Sequence, residues 1–189
     1  LIVDGERRYR TALKLGLKSI PCIVYSEMKP VERLITRFQL QEQHDNWTAF
    51  DKARVVSAFI TEAKMKTKEV AEMLGITPST VDGYLSMLSL SKRSQNIAEE
   101  KRIPFAYLRG VAMVTNKIEN GRDRGKVEKA LLQKIEDGII GRVSDLYRIN
   151  TAVALAPDKA IKAILQAKKT SGEIVKATGE GEKFLARDF

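Results

Sequence analysis

The stretch Thr67-Lys68-Glu69-Val70-Ala71-Glu72-Met73-Leu74-Gly75-Ile76-Thr77-Pro78-Ser79-Thr80-Val81-Asp82-Gly83-Tyr84-Leu85-Ser86-Met87-Leu88 decides the fold of most of this chain. Val70, Ala71 and Leu74 recur at helical spacing and predict the inner face of a short helix capped by Thr67. Gly75 stops that helix, because the turn after it takes the backbone into the left-handed region that glycine enters freely. Thr77 then caps a second helix, Pro78 occupies its first turn, and Val81, Tyr84, Leu85 and Leu88 form its apolar face. Ala71, Gly75 and Val81 stand four and six apart for a reason. A small residue lets two helices cross closely, glycine makes the turn, and a β-branched residue locks the second helix on the first. This is helix-turn-helix spacing, although two core helices that happen to turn at a glycine read the same way.

In a helix-turn-helix the outward positions of the second helix enter the major groove. Here they are Ser79, Thr80, Asp82, Gly83 and Ser86, with the cap Thr77 at their edge. None is an Arg, Asn or Gln able to read a base with two hydrogen bonds. Affinity is therefore expected from phosphate contacts, for which Lys64, Lys66, Lys68, Lys92, Arg93, Lys101 and Arg102 are candidates. Base reading is open to a later cluster, Arg109, Lys117, Arg122, Arg124 and Lys126, which reads equally well as a solvated loop.

The bulk composition agrees with such a partner. Among 189 residues, 33 Lys and Arg outweigh 24 Asp and Glu, a net charge of +9 that favours a polyanion. Aromatics at 6% point to helices packed by aliphatic residues. Cys22 is the single cysteine, so no disulfide forms within the chain, and its apolar neighbours suggest a small buried hydrophobe. No apolar run is long enough to span a bilayer and no signal peptide is visible, so the cytoplasm is the expected location. The chain starts with Leu1 inside an apolar run and reads as a fragment whose first ordered pieces lie upstream.

The N-terminal part reads differently. Residues 1–3 suggest a strand, residues 4–15 a helix ended by Gly16, and residues 20–25 a second strand. Tyr9, Ala12 and Leu13 would pack on that sheet. Arg7, Arg8 and Arg10 crowd the start of the helix, where free N–H groups and the positive dipole end favour an anion that arginine can grip bidentately. Pro30 opens a further helix, followed by a polar stretch at residues 39–46 and another helix from about Thr48. The expected class is thus α+β. A strand-helix-strand domain at residues 1–45 precedes an all-helical domain at 46–150, and residues 151–189 form a helical extension, helical at 157–168, and a linker.

Taken together these features resemble the ParB family of DNA-partition proteins. Gly5-Glu6-Arg7-Arg8-Tyr9-Arg10-Thr11-Ala12, then Gly16 and Ile20-Pro21, is similar to that family's arginine box. The resemblance runs through the helix-turn-helix into Lys101 to Leu108 and Asp137 to Leu146, and covers residues 1–148. It implies a centromere-like site on double-stranded DNA, a Walker-type partner ATPase, and a homodimer that closes as a clamp on CTP and Mg²⁺. By position, Gly5, Glu6, Arg7 and Arg8, with Arg10 nearby, would hold the nucleotide. The family's second nucleotide motif falls on residues 40–44, where Gln41 and His44 take the polar positions but Leu40 replaces an acid. Losing that carboxylate argues against hydrolysis, leaving at most a weak CTPase. His44 reads as a cap on the following helix ahead of a phosphate contact. A transcriptional repressor or nucleoid-associated factor would use the same scaffold.

An enzymatic role finds little support. A nuclease needs converging acidic metal ligands, and Asp4, Glu6 and Glu42 follow no such spacing. Cys22 has no base beside it. No catalytic residue and no metal ligand set is assigned.

Overall fold

The computed structural model describes residues 2–3, 5–25, 27–42 and 48–179, with the backbone alone at residues 30, 37, 39, 41 and 42. Eleven α-helices and no strand form among them. In chain order they are α1 (Glu6–Lys14), α2 (Pro30–Glu42), α3 (Ala49–Thr61), α4 (Thr67–Leu74), α5 (Pro78–Met87), α6 (Lys92–Glu100), α7 (Phe105–Thr115), α8 (Gly121–Glu136), α9 (Val143–Leu155), α10 (Pro157–Ile164) and α11 (Ser171–Ala177).

The α+β expectation is therefore corrected: the described chain is all-helical. Residues 20–25 run as irregular backbone with Ile23 82% and Val24 83% exposed. A strand exists only when a neighbour takes its N–H and C=O groups, and no described segment pairs with this one. Pro21 removes one of its donors besides. Without a sheet the face prepared for it stays wet: Ala12 is buried, but Tyr9 and Leu13 are exposed. Cys22, expected inside, is exposed too. The helix between the would-be strands does form, stopped at Gly16 with φ +66°.

Local signals set the rest. Pro30 opens α2 as its fixed φ allows. Thr48 caps α3 by accepting the Asp51 N–H at 3.1 Å, and the Asp51 carboxylate accepts the Thr48 N–H at 3.2 Å, which satisfies two donors that a helix start leaves open. The start of α4 shifts from expectation. Lys66 is its N-cap, with its N–H donated to Glu69 at 2.7 Å, and Thr67 is already helical. Gly75 then leaves α4 at φ +65°, and Thr77 caps α5.

Two apolar clusters meet across α3 and α5. The first joins Phe38 of α2, Val56 and Phe59 of α3, Val70 and Ala71 of α4, and Val81 of α5. The second runs from Phe50 of α3 and Met87 of α5 through α6–α9 to Ile164 of α10 and Ile174 of α11. The residues beyond 150 thus belong to the same core as the helices before them, and α11 forms where a linker was expected. One cation fastens this tail. The Lys134 ammonium, 2% exposed, donates to the carbonyls of Gln166, Ala167 and Lys169 at 2.7, 2.8 and 2.9 Å, which closes the end of α10. Burial holds its pKa below the usual lysine value, with Asp137 and Glu173 pulling the other way.

Gly110 is not the punctuation its residue type suggests. It lies inside α7, and a Cβ there would stand 2.6 Å from Leu146 Cδ1 on α9. The two helices cross at this glycine. Gly110→Ala should cost about 1–3 kcal/mol in overpacking, outweighing the gain of about 1 kcal/mol in helix propensity. The check is the urea midpoint, expected to fall. An unchanged or higher midpoint would show that the crossing has room.

Candidate nucleic-acid interface

Helix α5 buries Val81 and Met87 against α3, α4 and α7, and leaves a short polar face outside. On that face Ser79 and Asp82 are exposed. The remaining candidates are tied up to different degrees. Thr77 and Thr80 share a hydroxyl hydrogen bond of 2.9 Å, and Thr77 Oγ1 also accepts the Thr80 N–H at 3.2 Å. Ser86 is half-buried and donates to the Gly83 carbonyl at 2.9 Å. Gly83 corrects its outward assignment outright: it is buried.

What covers Gly83 is the key to the surface. A Cβ at this position would lie 3.0 Å from Arg109 Cδ and 3.0 Å from Phe105 Cζ, so glycine lets both side chains of α7 lie close across α5, and any larger residue would make them give way. Phe105 stacks beside Tyr84 with centroids 4.4 Å apart. Arg109 continues along α5 and donates from Nη2 to Ser79 Oγ at 2.9 Å. A guanidinium carries five N–H donors in a fixed fork. The bidentate donor that α5 lacks in its own sequence is thus supplied by α7 and lies beside Ser79.

The basic residues sort into distinct surroundings. Lys64, Lys66, Lys68, Lys92 and Arg93 are exposed around the starts of α4 and α6, with Lys92 Nζ 3.4 Å from Gln95 Oε1. Arg102 is exposed and held at φ +50° in the turn before α7. Lys101 instead pairs with Glu136 at 2.6 Å, and that hydrogen bond and charge raise its pKa, which ties it to α8. Lys117 and Arg122 are exposed, and Lys126 stands 3.4 Å from Asp123. Arg124 alone of that later cluster is turned inward. It contacts the backbone carbonyl of Ser89, the side chain of Asn116 and the buried carboxylate of Glu128. The sequence reading did not single out Glu128. Its signal was an acid placed i+4 from an arginine in the apolar run Val127, Leu131, Leu132.

The N-terminal arginines form a second candidate site. Gly5 sits at φ +86° as the N-cap of α1, and a Cβ on it would meet Arg8 Nη2 at 3.3 Å, so the guanidinium folds back over this glycine. Arg10 pairs with Glu6 at 2.7 Å. Arg7 and Arg8 border an open depression of about 470 Å³ with Thr11, Ala12, Leu15, Leu17 and Ile20. Gln41 lies in the last turn of α2, and His44 lies outside the described residues. Among the described residues no group of three or more His, Cys, Asp or Glu stands ready for a metal ion, and no helix is long and apolar enough to cross a membrane.

Residues 45–134 match the family model described as the ParB HTH domain. The "Probable chromosome-partitioning protein ParB" of Vibrio cholerae serotype O1 is 30% identical over 116 residues, 60% of this chain and 38% of that protein. The "Chromosome-partitioning protein Spo0J" of Thermus thermophilus is 30% identical over 153 residues, 81% of this chain and 53% of that protein. A "Nucleoid occlusion protein" of Bacillus cereus is 28% identical over 115 residues, 61% and 39% of the two chains. The chain spans between 38% and 53% of the length of these relatives.

Proposed function

The chain belongs to the ParB family, and from that premise we propose that it binds a specific site on double-stranded DNA in a partition or segregation system. The observation that carries this reading is the Arg109 side chain laid across Gly83 and hydrogen-bonded to Ser79. With α5 in the major groove, Arg109 is the group able to take guanine O6 and N7 together. Ser79, Thr80 and Asp82 then contact base edges at short range, with Thr77 and Ser86 alongside. Lys64, Lys66, Lys68, Lys92, Arg93 and Arg102 hold phosphates, while Lys101 is already engaged by Glu136. A homodimer and a Walker-type partner ATPase come with the family resemblance and belong to the same proposal.

The names of the relatives favour one second reading. Several carry the name nucleoid occlusion protein, which favours a nucleoid-associated factor on the same scaffold.

We further propose that Gly5, Glu6, Arg7, Arg8 and Arg10 form a phosphate box for CTP. The residues suit such a group. Gly5 gives the close backbone turn, Arg7 and Arg8 border an open depression, and Gln41 and His44 are the second-motif candidates. The nucleotide would supply a switch between open and closed states, and a Mg²⁺ would arrive on its triphosphate. With Leu40 at the acidic position, binding without appreciable hydrolysis is the expected behaviour.

Capturing sheared genomic DNA on the protein and sequencing it tests the first reading. One tight cluster of related sites supports partition, scattered sites support occlusion or regulation, and no enrichment overturns sequence-specific binding. On the enriched site, Arg109→Ala should cost about 1–3 kcal/mol in affinity and relax the preference at one base pair. Wild-type affinity should fall on the order of a hundredfold or more between roughly 50 and 200 mM salt, and a flat response would sink the phosphate account. Replacing Arg7 and Arg8 with Ala should abolish CTP binding, followed by calorimetry, yet leave affinity for the enriched site nearly intact. Equal loss of both would mean that the box touches DNA or only supports the fold.

A further inference from the structure

The chain leaving α5, residues 88–91, is held by side chains from two other helices. Gln95 of α6, 3% exposed, donates from Nε2 to the carbonyls of Leu88 and Leu90 at 3.2 and 2.9 Å. Glu128 of α8, 1% exposed, accepts the Ser91 N–H at 3.0 Å and the Ser91 hydroxyl at 2.6 Å. Arg124 of α8 completes the arrangement. Its Nη2 donates to the Ser89 carbonyl at 2.9 Å, to Ser89 Oγ at 3.0 Å and to Asn116 Oδ1 at 2.6 Å, and its Nε stands 3.4 Å from Glu128 Oε1.

These contacts have a geometric consequence. Asn116 is the C-cap of α7, the helix that carries Arg109. Near its start, α5 is tied to α7 through Ser79 and Arg109; just past its end, it is tied to the end of α7 through Ser89, Arg124 and Asn116. The relative placement of the two helices that make the reading surface is therefore fixed at both ends. Glu128 makes the second tie stiff. A buried carboxylate is costly without a cation beside it, and Arg124, 3.4 Å away, is the cation that Glu128 has.

We propose that Arg124, held by Glu128, is a positioning residue for sequence recognition: it sets the register of α5 against α7 and makes no phosphate contact of its own. This rests on the DNA-binding reading above. It also divides the later basic cluster, because a positioning arginine and a phosphate-binding arginine fail differently. A phosphate contact tolerates lysine, and its loss lowers the salt slope by about 1. Arg124 needs the planar fork, since Nη2 serves Ser89 and Asn116 while Nε faces Glu128, and the one nitrogen of a lysine cannot stand at both places.

The test compares wild type, Arg124→Lys, Glu128→Gln and the double variant on a short duplex of the enriched site and on a scrambled duplex of equal composition. Thermal melts confirm that each variant is folded at the assay temperature. Each single variant should lose on the order of tenfold affinity for the site, much less for the scrambled duplex, at an unchanged salt slope. The double variant should be little worse than either single one, because the two residues act as a unit. Full rescue by Arg124→Lys, a slope lowered by about one, or equal losses on both duplexes would overturn the proposal. If wild type prefers neither duplex, it is the DNA reading that has failed. Hydrogen exchange at Leu90 and Ser91 then tests the tie itself: faster exchange in both single variants is expected, and unchanged exchange overturns it.

Discussion

A helix that offers one face to a partner has only the other with which to hold itself in place. In α5 that second face is narrow, with Val81 and Met87 fully buried and Tyr84, Leu85 and Leu88 half so. The surrounding architecture compensates. Helices α3 and α4 cover one side with Val56, Phe59, Val70 and Ala71, while α7 covers another with Phe105. Polar ties then hold the two ends. Gly83 is where these demands collide, since a side chain there would serve neither the core nor the partner but would displace Phe105 and Arg109.

The parts legible in the sequence are those whose causes are local. Gly75 and Thr77 end one helix and begin the next through contacts within a few residues, and Val81 buries itself because its neighbours at helical spacing leave it no other side. The arginine that lies on α5 was harder to place. Proximity in sequence gives no reason to separate Arg109 from Lys117, Arg122, Arg124 and Lys126, yet Arg109 lies over the reading helix and Arg124 ties the chain leaving it to the buried Glu128. That difference is made largely by residues 26 to 35 positions away, Gly83 and Ser79 for Arg109 and Ser89 for Arg124, and no local rule pairs them. The misplacement of Gly83 has the same origin: helical periodicity puts it outside, and a side chain from α7 covers it.

The N-terminal segment misled for the opposite reason. Ile20, Ile23, Val24 and Tyr25 have the composition of a strand, but a strand is a relation between two segments, and composition describes only one of them. The helix between these apolar runs needed no partner for its hydrogen bonds and formed as expected. Helices announce themselves from within; sheets do not.

The Lys134 clasp bears on how the chain matures during synthesis. Its three acceptors lie 32 to 35 residues further on, so for that interval the nascent helix α8 presents an ammonium with nothing to hold. Residues 166–169 supply the acceptors that let this charge be buried, and α11, made last, then adds Ile174 and Val175 to the same cluster. The clasp thus ties the burial of one lysine on α8 to a stretch of chain that is made only after α9 and α10.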